Sequence, residues 1–459
     1  MKHAGIIAGF LLGFVFLAWG SVFEGPYIYD EADYLSAAAR GPLANAFDTG
    51  TMPLPEFLRL GLGRGRDPNQ KTTLSESVRN NNDIVFYRHW HGPVLFYWLT
   101  PFEKSHTAEQ VTRASMLAFP LLLIVAVYLG SLRILPPEQR QAGALITTAL
   151  TGWNFAAVKA SEVAPHQAYA LAAVCSLLLL CKAIASGERK YWYLSVAAAA
   201  MAFATLEVAF VLVLTLFISA WVERKWLLRC VGVFVGTVLL LWPGAVLKLS
   251  FLKAYFFLVY LSVFRKAAWG DITLWDSWRT RLTDTPLDWI LLLVCLVAVF
   301  KLRTRIAYPL LVYGILMVLT VGRVATYSPR YSLPFLPAFD LFIGFVFSAL
   351  VIRLSPTART AVTASLCLAA FLTTWFEMRA HPLNPEPRPP ALLAQVRDQH
   401  LESGSLLVPQ IDLPTLHYYF PVAQLRGYRE AEPASPDFEG RHFDAVLYPG
   451  LPIRLQRLP

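Results

Sequence analysis

Charge is scarce in this chain. Only 15% of its 459 residues are Asp, Glu, Lys or Arg, against about 25% in soluble domains. With a hydrophobic share of 56%, that shortage excludes a soluble enzyme and a disordered chain alike. Cysteine is sparse too. The five present (Cys175, Cys181, Cys230, Cys295 and Cys367) fall in or at the ends of apolar runs, and no two make a Cys-x-x-Cys pair. A disulfide framework and a thiolate zinc site are thereby excluded, and each cysteine reads as a small buried hydrophobe. No internal repeat is visible, which argues against the matched halves common in transporters. The net charge of +9 does not imply nucleic acid, because Lys and Arg of membrane proteins gather in cytoplasmic loops.

Long apolar runs are what the chain has. They lie at about 4–23, 111–132, 142–158, 165–183, 191–205, 208–222, 227–247, 287–300, 306–321, 331–352 and 360–378. The first follows Lys2 and shows no small-x-small cleavage site before Glu24, so it reads as an uncleaved span with a cytoplasmic N-terminus. Short basic loops carry Arg133 and Arg140, Lys182 to Lys190, Arg224 to Arg229, Lys301 to Arg305, and Arg353 with Arg359. All become cytoplasmic if loop 24–92 is outside and Val94–Phe102 does not cross. As a helix that segment is roughly 14 Å long, against about 30 Å of hydrocarbon, so it is expected to be re-entrant or juxtamembrane. Eleven crossings then place the C-terminal tail outside.

The fold expected is thus an all-α polytopic membrane protein of about eleven transmembrane helices. Residues 1–380 form the membrane domain, and 381–459 a small extracytoplasmic α/β domain. The tail opens on a proline-rich hinge (Pro382, Pro385, Pro387, Pro389, Pro390). It continues through a helix-like stretch, Ala391–His400, and strand-like runs at Leu406–Pro409 and Phe443–Tyr448.

Polar residues concentrate on the outer side. After the first span comes Tyr29-Asp30-Glu31-Ala32-Asp33-Tyr34, where helical spacing puts Asp30, Asp33 and Tyr34 on one face. Such carboxylates take a proton from an acceptor or hold a divalent cation against phosphate; they also suit a helix N-terminus. The first loop ends in Arg88-His89-Trp90-His91-Gly92-Pro93, whose guanidinium and imidazoles suit a lipid phosphate and whose Trp90, with Trp98, suits interfacial anchoring. Gly61, Gly63 and Gly65 with Arg64 and Arg66 follow no strand and open no helix, so they read as a flexible loop. Glu162, beside Lys159 and His166, and Glu207 are ionisable groups in outer turns, where such groups are costly and usually functional. Arg330-Tyr331 opens a span at its outer end, level with lipid phosphates.

Three of these runs together resemble the GT-C glycosyltransferases, the polytopic enzymes related to protein O-mannosyltransferases and the bacterial aminoarabinose transferase. They are Tyr29 to Tyr34, His91-Gly92-Pro93-Val94-Leu95-Phe96-Tyr97-Trp98-Leu99, and Arg330-Tyr331-Ser332-Leu333-Pro334-Phe335-Leu336-Pro337, and the resemblance spans roughly residues 4–352. It implies an inverting transferase in the bacterial inner membrane with its site facing outward. The donor would be a polyprenyl-phosphate-linked sugar and the acceptor a glycan, lipid or protein. Often a divalent cation (Mg, Mn or Zn) takes part. Asp30, Glu31, Asp33 and Glu162 would then be the catalytic acids, with Asp30 and Glu31 also the metal carboxylates. Arg88, His89, His91, Arg330 and Tyr331 would hold the donor phosphate, and Tyr34 and Glu207 would line the pocket. The chain departs from the pattern at Gly92, where the family has a first proline, and at Thr205-Leu206-Glu207, where a Thr-Lys pair is usual. A transporter or flippase and a catalytically inactive scaffold are the competing classes.

Overall fold

The computed structural model describes residues 2–47, 91–159, 161–222, 227–247, 273–302, 304–323, 328–381, 387–409, 411–428, 437–438 and 441–457. Every apolar run named above carries a helix. The first is α1 (Lys2–Ala18), followed by the polar-faced α2 (Tyr29–Ala39). Next come α3 (Val94–Lys104), α4 (Glu109–Met116) and α5 (Ala118–Ile134), the last two in line. The bundle continues with α6 (Arg140–Gly152), α7 (Pro165–Ser186), α8 (Arg189–Phe203), α9 (Phe210–Val222) and α10 (Leu227–Leu241). Then follow α11 (Leu274–Asp284), α12 (Pro286–Leu302), α13 (Tyr308–Thr320), α14 (Leu336–Val351) and α15 (Pro356–Ala380). Among the described residues, four helices are long and apolar enough to cross a membrane, or five if the bent pair α11–α12 is one span. α9, α10, α13 and α14 belong to shorter apolar helices.

Local chemistry sets the ends of these helices. Pro165, Pro309, Pro337 and Pro356 stand in first turns, where the missing N–H costs nothing. Gly187 ends α7 in a left-handed conformation, φ 70°, which a side chain would resist. The core joins α5, α6, α7, α13 and α14. At the α6–α14 crossing a Cβ on Gly344 would collide with Thr147, so glycine permits the close approach.

The tail forms the expected α/β unit. α16 (Arg388–Asp398) and α17 (Leu413–Tyr419) accompany β1 (Ser405–Pro409), β2 (Gln424–Tyr428), β3 (Asp437–Phe438), β4 (Arg441–His442), β5 (Ala445–Tyr448) and β6 (Arg454–Arg457). One sheet runs β2-β1-β5-β6, parallel except for β6. β1, α17 and β2 make the crossover unit that parallel pairing requires. α16 begins at Arg388, so Pro389 and Pro390 belong to its first turn rather than to a hinge; a proline ring there is already set to the helical φ. Pro382 and Pro385 lie outside the described residues.

Candidate active site

α2 starts under strain. Gly25 has φ 145° and Tyr29 φ 44°, the latter a conformation bulky residues avoid. That turn aims two adjacent acids at different arginines. Glu31 is buried, and its carboxylate receives Arg113 Nε at 3.1 Å and Nη2 at 2.7 Å. It also accepts the Val163 amide at 3.0 Å. Arg113 in turn donates to the carbonyls of Gly25 and Pro26 at 2.8 and 3.1 Å, with its guanidinium 4.1 Å from the Phe23 ring. Glu31 therefore pins the loop before α2 to the turn that carries Glu162.

Asp30 faces the other way, to Arg330. The guanidinium donates Nη2 to Asp30 at 2.7 Å and Nη1 to Glu162 at 2.5 Å. Arg330 is 13% exposed, whereas Asp30 and Glu162 are 50% and 38% exposed. The arginine is thus walled by protein, and its partners are half-buried. Tyr331 stacks beside it, with the guanidinium carbon 5.2 Å from the ring and Nη2 3.4 Å from the hydroxyl. His166 packs edge-on to Tyr331 at 5.5 Å, and its buried Nδ1 has no hydrogen-bond partner among the described residues. Burial pushes the Glu162 carboxyl above the usual range, opposed by Arg330 and reinforced by Glu31 and Asp30.

A second polar chain adjoins the first. His91 Nδ1 lies 2.7 Å from a Glu207 carboxylate oxygen, and His91 Nε2 lies 3.0 Å from the Tyr34 hydroxyl. With Glu207 ionised, Nδ1 carries the proton and Nε2 accepts from Tyr34. Burial and neighbouring Asp30 hold the Tyr34 phenol well above its ordinary value, against the pull of Arg330. Gly92 is needed here: a Cβ would collide with the backbone of Ala204, whose carbonyl accepts the Val94 amide at 3.2 Å. The glycine thus seats the start of α3 directly on the turn leading to Glu207.

The sequence matches no protein-family model and no curated protein. Solved structures do match. ArnT from Cupriavidus metallidurans in the apo state superposes with a TM-score of 0.59 at 14% identity, over 93% of this chain and 87% of that one. The same protein bound to undecaprenyl phosphate gives 0.56 at 14%, over 93% and 86%. Archaeal oligosaccharyltransferase AglB from Archaeoglobus fulgidus, in complex with an inhibitory peptide and a dolichol-phosphate, gives 0.56 at 13%, over 93% of this chain and 64% of AglB. The chain shares the fold of ArnT and AglB.

Of the residues picked out in the sequence, the fold brings together Asp30, Glu162, Arg330 and Tyr331, and separately Tyr34, His91 and Glu207. Asp33 is half-buried one turn beyond Asp30. Arg88 and His89, with the glycine run at 61–65, lie outside the described residues. Glu31 does not share a centre with Asp30, since its oxygens are taken by Arg113 and Val163, and an arginine stands between Asp30 and Glu162 where an ion would bridge them. Among the described residues, the group of three or more potential ligands that converges is Asp284, Glu377 and His381. Arg113 escaped the sequence reading because it sits inside an apolar run, yet an arginine at membrane depth is itself a signal.

Proposed function

We propose that this protein is an inverting glycosyltransferase. It moves a sugar from a polyprenyl-phosphate donor to a glycan, lipid or protein acceptor on the outer side of the membrane. Arg330 carries the reading: one guanidinium held between two carboxylates, Asp30 on α2 and Glu162 in the turn before α7, with the Tyr331 ring beside it. The donor phosphate displaces Asp30 and Glu162 from the arginine and takes a two-pronged bond in their place. Asp30, freed and half exposed, accepts the proton of the attacking hydroxyl or amine. Arg330 stabilises the charge growing on the leaving phosphate, and attack from the face opposite that phosphate inverts the sugar. His91, fixed by Glu207, orients Tyr34 at the wall of the same pocket.

The likeness to ArnT and AglB in fold, one bound to undecaprenyl phosphate and the other to dolichol-phosphate, supports a lipid-phosphate ligand. We take the eleven helical runs as eleven crossings of the inner membrane, with residues 381–459 an outer accessory domain. Donor binding tests the assignment. Arg330→Ala should weaken the binding of a polyprenyl-phosphate lipid about thirty- to a hundred-and-fifty-fold, equivalent to ~2–3 kcal/mol, while Arg330→Lys keeps part of it. Unchanged binding in well-folded Arg330→Ala would leave Arg330 as an interfacial anchor.

A further inference from the structure

The bend between α11 and α12, the last turn of α15 and Lys159 enclose a polar cluster that the proposed chemistry does not use. Asp284 ends α11, immediately before a 91° change of direction. Glu377 and His381 stand four residues apart at the end of α15, with His381 Nε2 3.7 Å from the Glu377 carboxylate. That spacing puts both side chains on one helix face. The ligand atoms of all three residues lie within 4.8 Å of one another.

We propose that Asp284, Glu377 and His381 form a binding site for a divalent transition metal, zinc above others. Asp284 is only 7% exposed, and among the described residues no hydrogen bond reaches its carboxylate. A buried carboxylate normally has a donor or a cation. Here it faces a second carboxylate. The nearest ammonium, Lys159, lies 4.5 Å over the Phe155 ring, so its charge is shared with that ring. One imidazole with two carboxylates is a borderline donor set that suits zinc better than magnesium or calcium. Ligands on a tetrahedral zinc sit about 3.4 Å apart, a distance that small rotations of Glu377 and His381 reach. His381 is 59% exposed, which gives the ion a way in and leaves the fourth position to water.

Bound there, the metal joins the α11–α12 elbow to the end of α15. His381 also rests edge-on against Phe155 at 6.3 Å, in the short helix Phe155–Val158 that leads into the Glu162 loop. The ion would act as a pin on the segment that leads into that loop.

The test uses the full-length protein in detergent, stripped with a chelator and titrated calorimetrically with zinc chloride. Wild type should take up one equivalent, and His381→Ala and Glu377→Gln should each bind at least tenfold more weakly. Asp30→Asn should bind like wild type, which separates this site from the Arg330 site. Removing exposed His381 leaves the core intact, so loss of zinc there is not loss of fold; size-exclusion and thermal unfolding check this. No uptake by wild type, equal uptake by both cluster variants, or loss in Asp30→Asn would overturn the proposal.

Discussion

Two neighbouring acids divide the work at the start of α2. Glu31 accepts from three groups in a water-free setting, and Asp30 holds one exposed-side bond to Arg330. Removing one partner of a buried pair strands the other charge, at a cost of about 3–5 kcal/mol. Glu31→Gln should accordingly lower the thermal unfolding midpoint sharply, and the folded fraction should still bind donor. A variant of normal stability with abolished turnover would instead make Glu31 a chemical group. The raised carboxyl of Glu162 gives a second prediction. A sugar phosphodiester keeps one negative charge across the working pH range. As pH falls through the Glu162 value, which lies above the ordinary carboxylate range, Glu162 takes a proton and ceases to compete for Arg330. Donor affinity should therefore rise on mild acidification, and Glu162→Gln should be tight and flat across the same range. A flat profile in wild type would count against competition at Arg330. The acids and Arg330 were visible in the sequence because polar residues stand out beside apolar runs. Their pairing was not, because Asp30 and Arg330, three hundred residues apart, meet only through tertiary packing around α2.

Helices were the most legible elements. Apolar runs near membrane length, bounded by prolines and basic residues, admit little else. Less legible was how the tail seats itself. α17 sets Tyr418 against Glu103 at 3.0 Å and Tyr419 against Glu109 at 3.0 Å, and the Tyr27 amide donates to the Tyr419 hydroxyl at 2.9 Å. The Tyr27 contact joins the tail to the loop entering α2 across 392 residues of chain, the other two join it to α3 and α4, and no periodicity encodes them. Each hydrogen bond contributes about 0.5–1.5 kcal/mol. Tyr418→Phe with Tyr419→Phe should thus raise amide hydrogen exchange in 24–35 severalfold while leaving the bundle helices unchanged. Equal exchange in both proteins would show that the tail does not steady α2. The same elements explain Gly92: the departure from the double proline is a packing requirement at Ala204, and a local pattern cannot show what the neighbouring turn will be.

At the scale of the molecule, apolar helices gather two adjoining polar centres around α2, and the tail with its small sheet packs against the loop entering that helix. The GT-C likeness covers 93% of the chain at 14% identity, so the fold persists where most of the sequence has changed. Of the runs that carry the resemblance, Asp30 meets Arg330 and Tyr34 meets His91, whereas Glu31 turns to Arg113. The direct test is transfer itself. Purified protein in vesicles should be given a polyprenyl-phosphate-linked sugar and an envelope extract as the acceptor pool, with release of the polyprenyl phosphate followed in time. Wild type should release it and pass the sugar to an acceptor with inversion. Asp30→Asn should be slower by about a hundredfold or more, and Arg330→Ala should respond only at raised donor concentration. Labelled donor that crosses the bilayer with its sugar still attached, with no release by wild type, would contradict the account and make the protein a transporter.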